Sequence, residues 1–277
     1  AAGAVFGVGV LARAALAIYA LPLAGLLAAT GERGARSVGK RWIAFGAGTL
    51  PFALGVLAHN ALRFGDPLRF GYAGEAFTTP LIEGIAGLLL SPGKSVLLYA
   101  PPLILATLMG RRFWRRERAL AGFLGLAWDV ALLCYGAWWA WHGGWSWGPR
   151  FLVPLIPLSC LPIGLLPARS GWRVGLALAV VLGVAVNALG VLTDPVAPYV
   201  TASEASVTEY GAIHWRPDAS PLAVAVERLA AGQTEPLALF HLSGSGLPRA
   251  WTVGVPLAAL GGLALGGWKL RAAVKKR

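Results

Sequence analysis

The feature that most constrains this chain is the alternation of apolar runs, near the length of a membrane crossing, with short clusters of arginine and lysine. A helix needs about 20 residues to cross the hydrocarbon of a bilayer. Runs near that length recur at 1–29, 42–62, 96–110, 119–139, 151–166, 174–192 and 251–265. Between them stand Arg33, Arg36, Lys40 and Arg41, then Arg111, Arg112, Arg115, Arg116 and Arg118, then Arg169 and Arg173. Lys269, Arg271, Lys275, Lys276 and Arg277 follow the last run. With 57% hydrophobic and only 13% charged residues over 277 positions, the chain has too little polar surface to clothe a soluble globule. The expected fold is all-α, a polytopic transmembrane helical bundle with about seven membrane helices and a small external segment.

A formal net charge of +12 raises nucleic acid as a partner. The basic residues gather between apolar runs and not along one polar face, which is the positive-inside pattern, so nucleic acid is set aside. That pattern puts the clusters and the C-terminus on the cytoplasmic side of the cytoplasmic membrane. It leaves 60–95, 138–150 and 194–250 outside. Three units are expected: a membrane bundle at 1–193 with external loops 60–95 and 138–150, an external polar segment at 194–250 with one short helix, and a last membrane helix with a basic tail at 251–277. The first residue is Ala1, the apolar run begins at once, and no basic n-region precedes it. The chain is therefore read as a fragment or processed product of a longer one.

Three external segments carry unusual residues. The first mixes Arg63, Asp66, Arg69, Tyr72 and Glu75 with glycines and aromatics at the membrane edge, more than a plain connector requires. A short interfacial or re-entrant helix is expected at 80–90, followed by the turn Ser91-Pro92-Gly93-Lys94-Ser95. Gly-Lys-Ser alone is not a nucleotide P-loop: the glycine required five residues before Gly93 is replaced by Leu88, and no soluble strand precedes it. The second segment, Trp138-Trp139-Ala140-Trp141-His142-Gly143-Gly144-Trp145-Ser146-Trp147-Gly148-Pro149-Arg150, can anchor the chain at the interface through its indoles. Its glycines, its histidine and its terminal cation go beyond anchoring and suit a headgroup held against rings with a phosphate on the arginine. The third is the only long polar stretch. Within it Ser220 and Pro221 mark an N-cap and first helical position, and Gly232 a stop.

Two charges fall inside apolar runs, Arg13 and Asp129. Such groups are costly in lipid and usually face a bundle interior or a water-filled cavity; snorkelling for Arg13 and a helix-to-helix hydrogen bond for Asp129 are the structural alternatives. Cys134 and Cys160 read as buried thiols, Asn60 and Asn187 are not glycosylation acceptors, and no HExxH, GxSxG or Cys/His ligand spacing occurs. No cofactor is called for, although Asp66, Glu75 or Glu83 can bind a hydroxyl or a divalent metal. Arg63, Arg69, Lys94 and Arg150 can neutralise a lipid phosphate or pyrophosphate, and the tryptophans can stack on a sugar or the first isoprene units.

The words HNALRFGDPLRFGY, GLLLSPGKSVLLYAPPL, WHGGWSWGPRFLVPLIPL and IHWRPDASPL resemble the C-terminal half of bacterial multi-pass glycosyltransferases of the GT-C class. These are the protein-mannosyltransferase-like (family 39-like) and aminoarabinose-transferase-like enzymes. The resemblance spans 60 to about 222. It implies transfer of a sugar from a polyprenyl-phosphate carrier to a glycan, lipid or protein acceptor on the outer face. It also implies that Lys94 and Arg150 hold the leaving phosphate, that Trp141 and His142 line the sugar, and that Arg63, Arg69 and Tyr72 belong to the substrate-binding set. The acidic pair that this class carries in its first external loop has no counterpart before Asn60, so the catalytic base is unassigned. A lipid-sugar transporter or flippase and a non-catalytic scaffold use the same aromatics and cations and stay open as alternatives.

Overall fold

The structure is a computed structural model that describes residues 1–31, 34–71, 74–205 and 211–233. Tyr72, the remainder of the polar segment, and the expected last membrane helix and tail lie outside the described residues. Every regular element among those described is helical.

Among the described residues, three helices are long and apolar enough to cross a membrane: α3 (Ala35–Phe64), α8 (Arg118–Ala137) and α10 (Ser170–Leu192). They arise where uninterrupted apolar sequence lets each backbone N–H find its partner one turn back, as lipid demands. At about 1.5 Å per residue, the 30 residues of α3 exceed the hydrocarbon thickness. The helix begins upstream of the expected crossing and takes Arg36, Lys40 and Arg41 into its first turns. Its end is set by Gly65, in the left-handed region at φ 75°, whose N–H returns to the Ala61 carbonyl.

The other expected crossings that lie within the described residues are not single continuous helices. The stretch 1–29 divides into α1 (Ala2–Ala12), a 3₁₀ turn (Ala14–Tyr19) and α2 (Ala20–Ala29), because Arg13 is extended at φ −152°, ψ 101°. The stretch 96–110 becomes α5 (Val96–Tyr99) and α6 (Pro102–Leu108), followed by α7 (Gly110–Arg116). Pro101 and Pro102 have no N–H with which to continue the ladder. In 151–166 the prolines at 154, 157 and 162 leave only α9 (Ile156–Ser159) and a 3₁₀ turn (Leu161–Leu165). Spacing of hydrophobic residues alone could not reveal these breaks.

α1 lies along α3, where Gly3 leaves no side chain between the backbones and Thr49 Oγ1 donates to the Gly3 carbonyl at 3.1 Å. α4 (Leu81–Leu90) packs on α8, with Gly84 against the Gly136 backbone and Leu88 in the same core cluster as Ala127 and Ala131. The central core joins Tyr19, Leu88, Val96, Leu103, Ala127, Ala131, Trp141, Leu152 and Leu155, uniting the first, middle and fifth apolar runs. Trp128 Nε1 ties α8 to Ser159 Oγ at 2.7 Å, while the neighbouring Asp129 is exposed. After α11 (Ala197–Ala205), α12 (Pro221–Ala230) packs against α10. Ser220 caps it by accepting from the Ala223 N–H at 3.3 Å, with Pro221 at the first position.

Candidate functional site

The loop between α8 and α9 closes on itself around one buried ammonium. Gly143, Gly144 and Gly148 all have positive φ (77°, 67° and 62°), which L side chains rarely adopt. Their turns aim successive carbonyls inward. Lys94 Nζ sits at the focus: it donates to the carbonyls of Ser146 at 2.6 Å, Gly144 at 3.2 Å and Gly148 at 3.4 Å, and to Ser146 Oγ at 3.3 Å. The lysine is 0% exposed. It is held from behind by the turn 91–95, where Ser91 Oγ accepts from the Lys94 N–H at 3.1 Å and Ser95 Oγ donates to the Leu89 carbonyl at 2.6 Å.

The polar segment after α10 folds over the same spot. Tyr199 Oη donates to the Ser146 carbonyl at 3.0 Å, and its ring centroid lies 5.0 Å from Lys94 Nζ. The His214 carbonyl accepts from the Gly93 N–H at 3.1 Å. The His214 imidazole stacks on His142 with centroids 4.5 Å apart, and Trp141 meets both rings edge-on at 5.7 and 5.5 Å. Gly87 on α4 makes room for the Trp141 ring, which any Cβ there would strike. Residues from 87–95, 138–150, 193–205 and 211–214 therefore form one assembly, drawn from all three of the segments with unusual residues.

Burial sets the electrostatics. It pulls His142 down to about 4, with Lys94 and Arg150 adding to the shift, and takes His214 further, to about 2, with His142 and Lys94 contributing. Both rings are neutral at neutral pH. His142 Nδ1 accepts from the Gly144 N–H at 3.1 Å, which assigns the ring proton to Nε2. Burial and, after it, the Arg150 guanidinium lower the Lys94 ammonium to about 7. The ring of oxygens opposes that trend, since an ammonium offers three donors and accepts nothing.

Beside this assembly opens a cavity of about 640 Å³ whose walls include Arg13, Glu75, Phe77, Tyr135, Trp138, Trp139, His142, Arg150 and Phe151. Two guanidiniums flank one ring there: the Arg13 and Arg150 Cζ atoms lie 5.8 and 5.1 Å from the Phe151 centroid. Phe151 stacks on Tyr135 at 4.5 Å with planes 4° apart. Neither Arg13 nor Arg150 is paired with a carboxylate among the described residues. Glu75 is the one acid in the wall among those residues. Its strand of loop is fixed by the Trp139 N–H on the Ala76 carbonyl at 3.0 Å and Thr79 Oγ1 on the Trp138 carbonyl at 2.9 Å.

Of the residues expected in the substrate-binding set, His142 and Arg150 line this cavity. Lys94 and Trp141 stand behind its wall, the first spent on loop carbonyls and the second packed in the core. Arg63 and Arg69 are exposed and do not line it; Arg63 lies over Phe64 at 5.2 Å. Tyr72 lies outside the described residues. The sequence does not mark Tyr135, Phe151, Tyr199 and His214 as partners in one place, and of the fates open to Arg13 the structure takes the cavity wall. The helix break at Arg13 gives that residue its place in the cavity wall. No group of three or more His, Cys, Asp or Glu able to hold a metal occurs among the described residues. No family model matches the chain, and no curated protein or solved structure matches it.

Proposed function

We propose that this chain is the donor-binding part of a membrane glycosyltransferase of GT-C type, taking a sugar from a polyprenyl-phosphate carrier. The observation that carries the proposal is the cavity in which Arg13 and Arg150 converge on Phe151 beside a wall of tryptophans. Two permanently charged guanidiniums with no carboxylate partner among the described residues suit a phosphate, which they can meet with forked hydrogen bonds. The neighbouring indoles suit a sugar face or an isoprene unit. As the bond from sugar to phosphate breaks, negative charge grows on the leaving oxygen, and cations already in place stabilise it in a partly dry site. In this reading the broken helices at 1–29, 96–110 and 151–166 complete, with the three long ones and 251–265, about seven crossings. The cavity then opens on the external face, and Arg36, Arg111–Arg118 and Arg173 stay on the cytoplasmic side.

The test is binding of a polyprenyl monophosphate to the protein in zwitterionic nanodiscs, with sugar transfer assayed in membranes that express it. Arg150→Ala and Arg13→Ala should each weaken binding at least tenfold and abolish transfer while membrane insertion persists. Unchanged binding by both variants would remove the donor-phosphate assignment.

One observation favours a second reading. The interruption at Arg13 lies inside an apolar segment and lines the cavity, as discontinuous helices do in secondary transporters. A lipid-sugar transporter would move the carrier across a vesicle membrane without releasing sugar, which the transfer assay separates from the first reading.

A further inference from the structure

We infer that Lys94 is a positioning residue, whose ammonium shapes the 143–150 loop and thereby sets Arg150 at the cavity wall. The inference rests on the donor-binding reading only for what Arg150 does, not for how Lys94 acts. Three features carry it.

The first is where the ammonium points. All four of its oxygen partners belong to residues 144, 146 and 148, and the side chain is 0% exposed, so its hydrogen bonds are used inside the protein. The second is how the loop passes that geometry on. The Gly148 carbonyl that accepts from Lys94 at 3.4 Å also accepts from the Arg150 N–H at 3.1 Å. The Arg150 stem in turn lies against Gly143, where an added Cβ would meet Cγ at 3.0 Å. The third is that the assembly is built to hold this cation. Tyr199 fastens the same Ser146 carbonyl from the other side and turns its ring toward the ammonium, and Ser91 and Ser95 fix the turn that delivers it. Arg150 itself is exposed and free to meet a ligand. One cation is enclosed and organises the loop; the other is presented by it.

The experiment uses the full chain in zwitterionic nanodiscs with two readouts. Hydrogen exchange follows the amides of 144–148, and a polyprenyl monophosphate is the binding probe. Lys94→Met should speed exchange of those amides at least tenfold with α3 and α8 unchanged, whereas Arg150→Gln should leave them as protected as in the wild type. In the binding assay Lys94→Met and Arg150→Gln should each lose at least tenfold. The double variant should lose no more than the weaker-binding single one, because Lys94 acts through Arg150. Additive losses, or wild-type exchange at 144–148 in Lys94→Met, would overturn the inference. If Lys94→Met fails to insert, Lys94→Gln, which keeps a donor without the charge, is judged by the same criteria. If the wild type does not bind the probe at all, the donor-binding reading fails, and the exchange measurement still decides the role of Lys94.

Discussion

The long helices and the loop assembly solve the same problem in opposite ways. α10 satisfies its backbone internally and leaves most of its side chains outward: Val174, Leu178, Val181 and Val184 are all more than half exposed on a helix of mean hydropathy 2.4. The loop at 138–150 has no ladder. Its carbonyls are satisfied by a lysine from one segment and a tyrosine from another, and its Trp141 ring meets His142 and His214 edge-on. A helix of the first kind is specified locally and needs only an apolar solvent. The loop is specified by contacts distant in sequence, so its geometry depends on a few side chains. Substitutions should therefore act on insertion in the first region and on local order in the second.

The sharpest way to break this contrast is acid. The folded values of His142 and His214, about 4 and about 2, lie below the ordinary 6.5, so the neutral rings are favoured by folding. Their contribution is fully present above about pH 6.5 and is lost as the pH falls, toward 4 for His142 and toward 2 for His214. A tenfold difference in proton affinity between the folded and unfolded chain is worth about 1.4 kcal/mol. Hydrogen exchange of 138–150 should accelerate between pH 6.5 and 4.5, after correction for the intrinsic rate, while α10 stays protected. Lys94, pulled to about 7, titrates above that window. The His142→Gln, His214→Gln double variant should flatten the response; an unchanged acid response in that variant would disconnect it from the stacked pair.

The opposite substitution probes the helices. Val181 lies near the middle of α10 and is 65% exposed. Val181→Asp should lower insertion of this helix by about 3 kcal/mol, read as the fraction of chains carrying a lumenal tag. Inserted molecules should keep wild-type exchange at 144–148. Full insertion would mean that α10 does not face lipid.

The same contrast explains what could be read from the residues. α10 and α8 were legible because periodicity and low charge suffice to define them. The helix at Pro221–Ala230 was legible because Ser220 and Pro221 act within one turn. The break at Arg13 was not, since an arginine in an apolar run has several acceptable fates and only the Phe151 ring beside it selects one. Pro101-Pro102 and the three prolines of 151–166 were visible, but whether a proline bends a helix or ends it depends on partners for the freed carbonyls. For the site, the glycines, His142 and Arg150 were found by their residue types. Lys94 was found for the wrong surroundings: a lysine in a tight turn suggests a phosphate, and the carbonyl ring that takes up its ammonium comes from a loop fifty residues away. His214 and Tyr199 carried no local signal, as their meaning lies in what they cover.

A smaller effect tests how tightly the two regions are joined. Gly87 belongs to α4 by its backbone and to the loop by its space, because the Trp141 indole occupies the volume that a side chain would take. Trp141 is 4% exposed and belongs to the central core. It cannot move outward without abandoning that packing, and it is edge-on to His142 and His214. Gly87→Val therefore overpacks a closed junction and should destabilise it by about 2 kcal/mol, with Gly87→Ala affected less. The thermal midpoint should fall, and the near-ultraviolet dichroism of the tryptophans should change in both variants. If α4 is instead displaced as a whole, exchange should rise along Leu81–Leu90 while the histidine stack keeps its acid response. That result would show the helix to be the softer partner and the loop assembly the part that holds its shape.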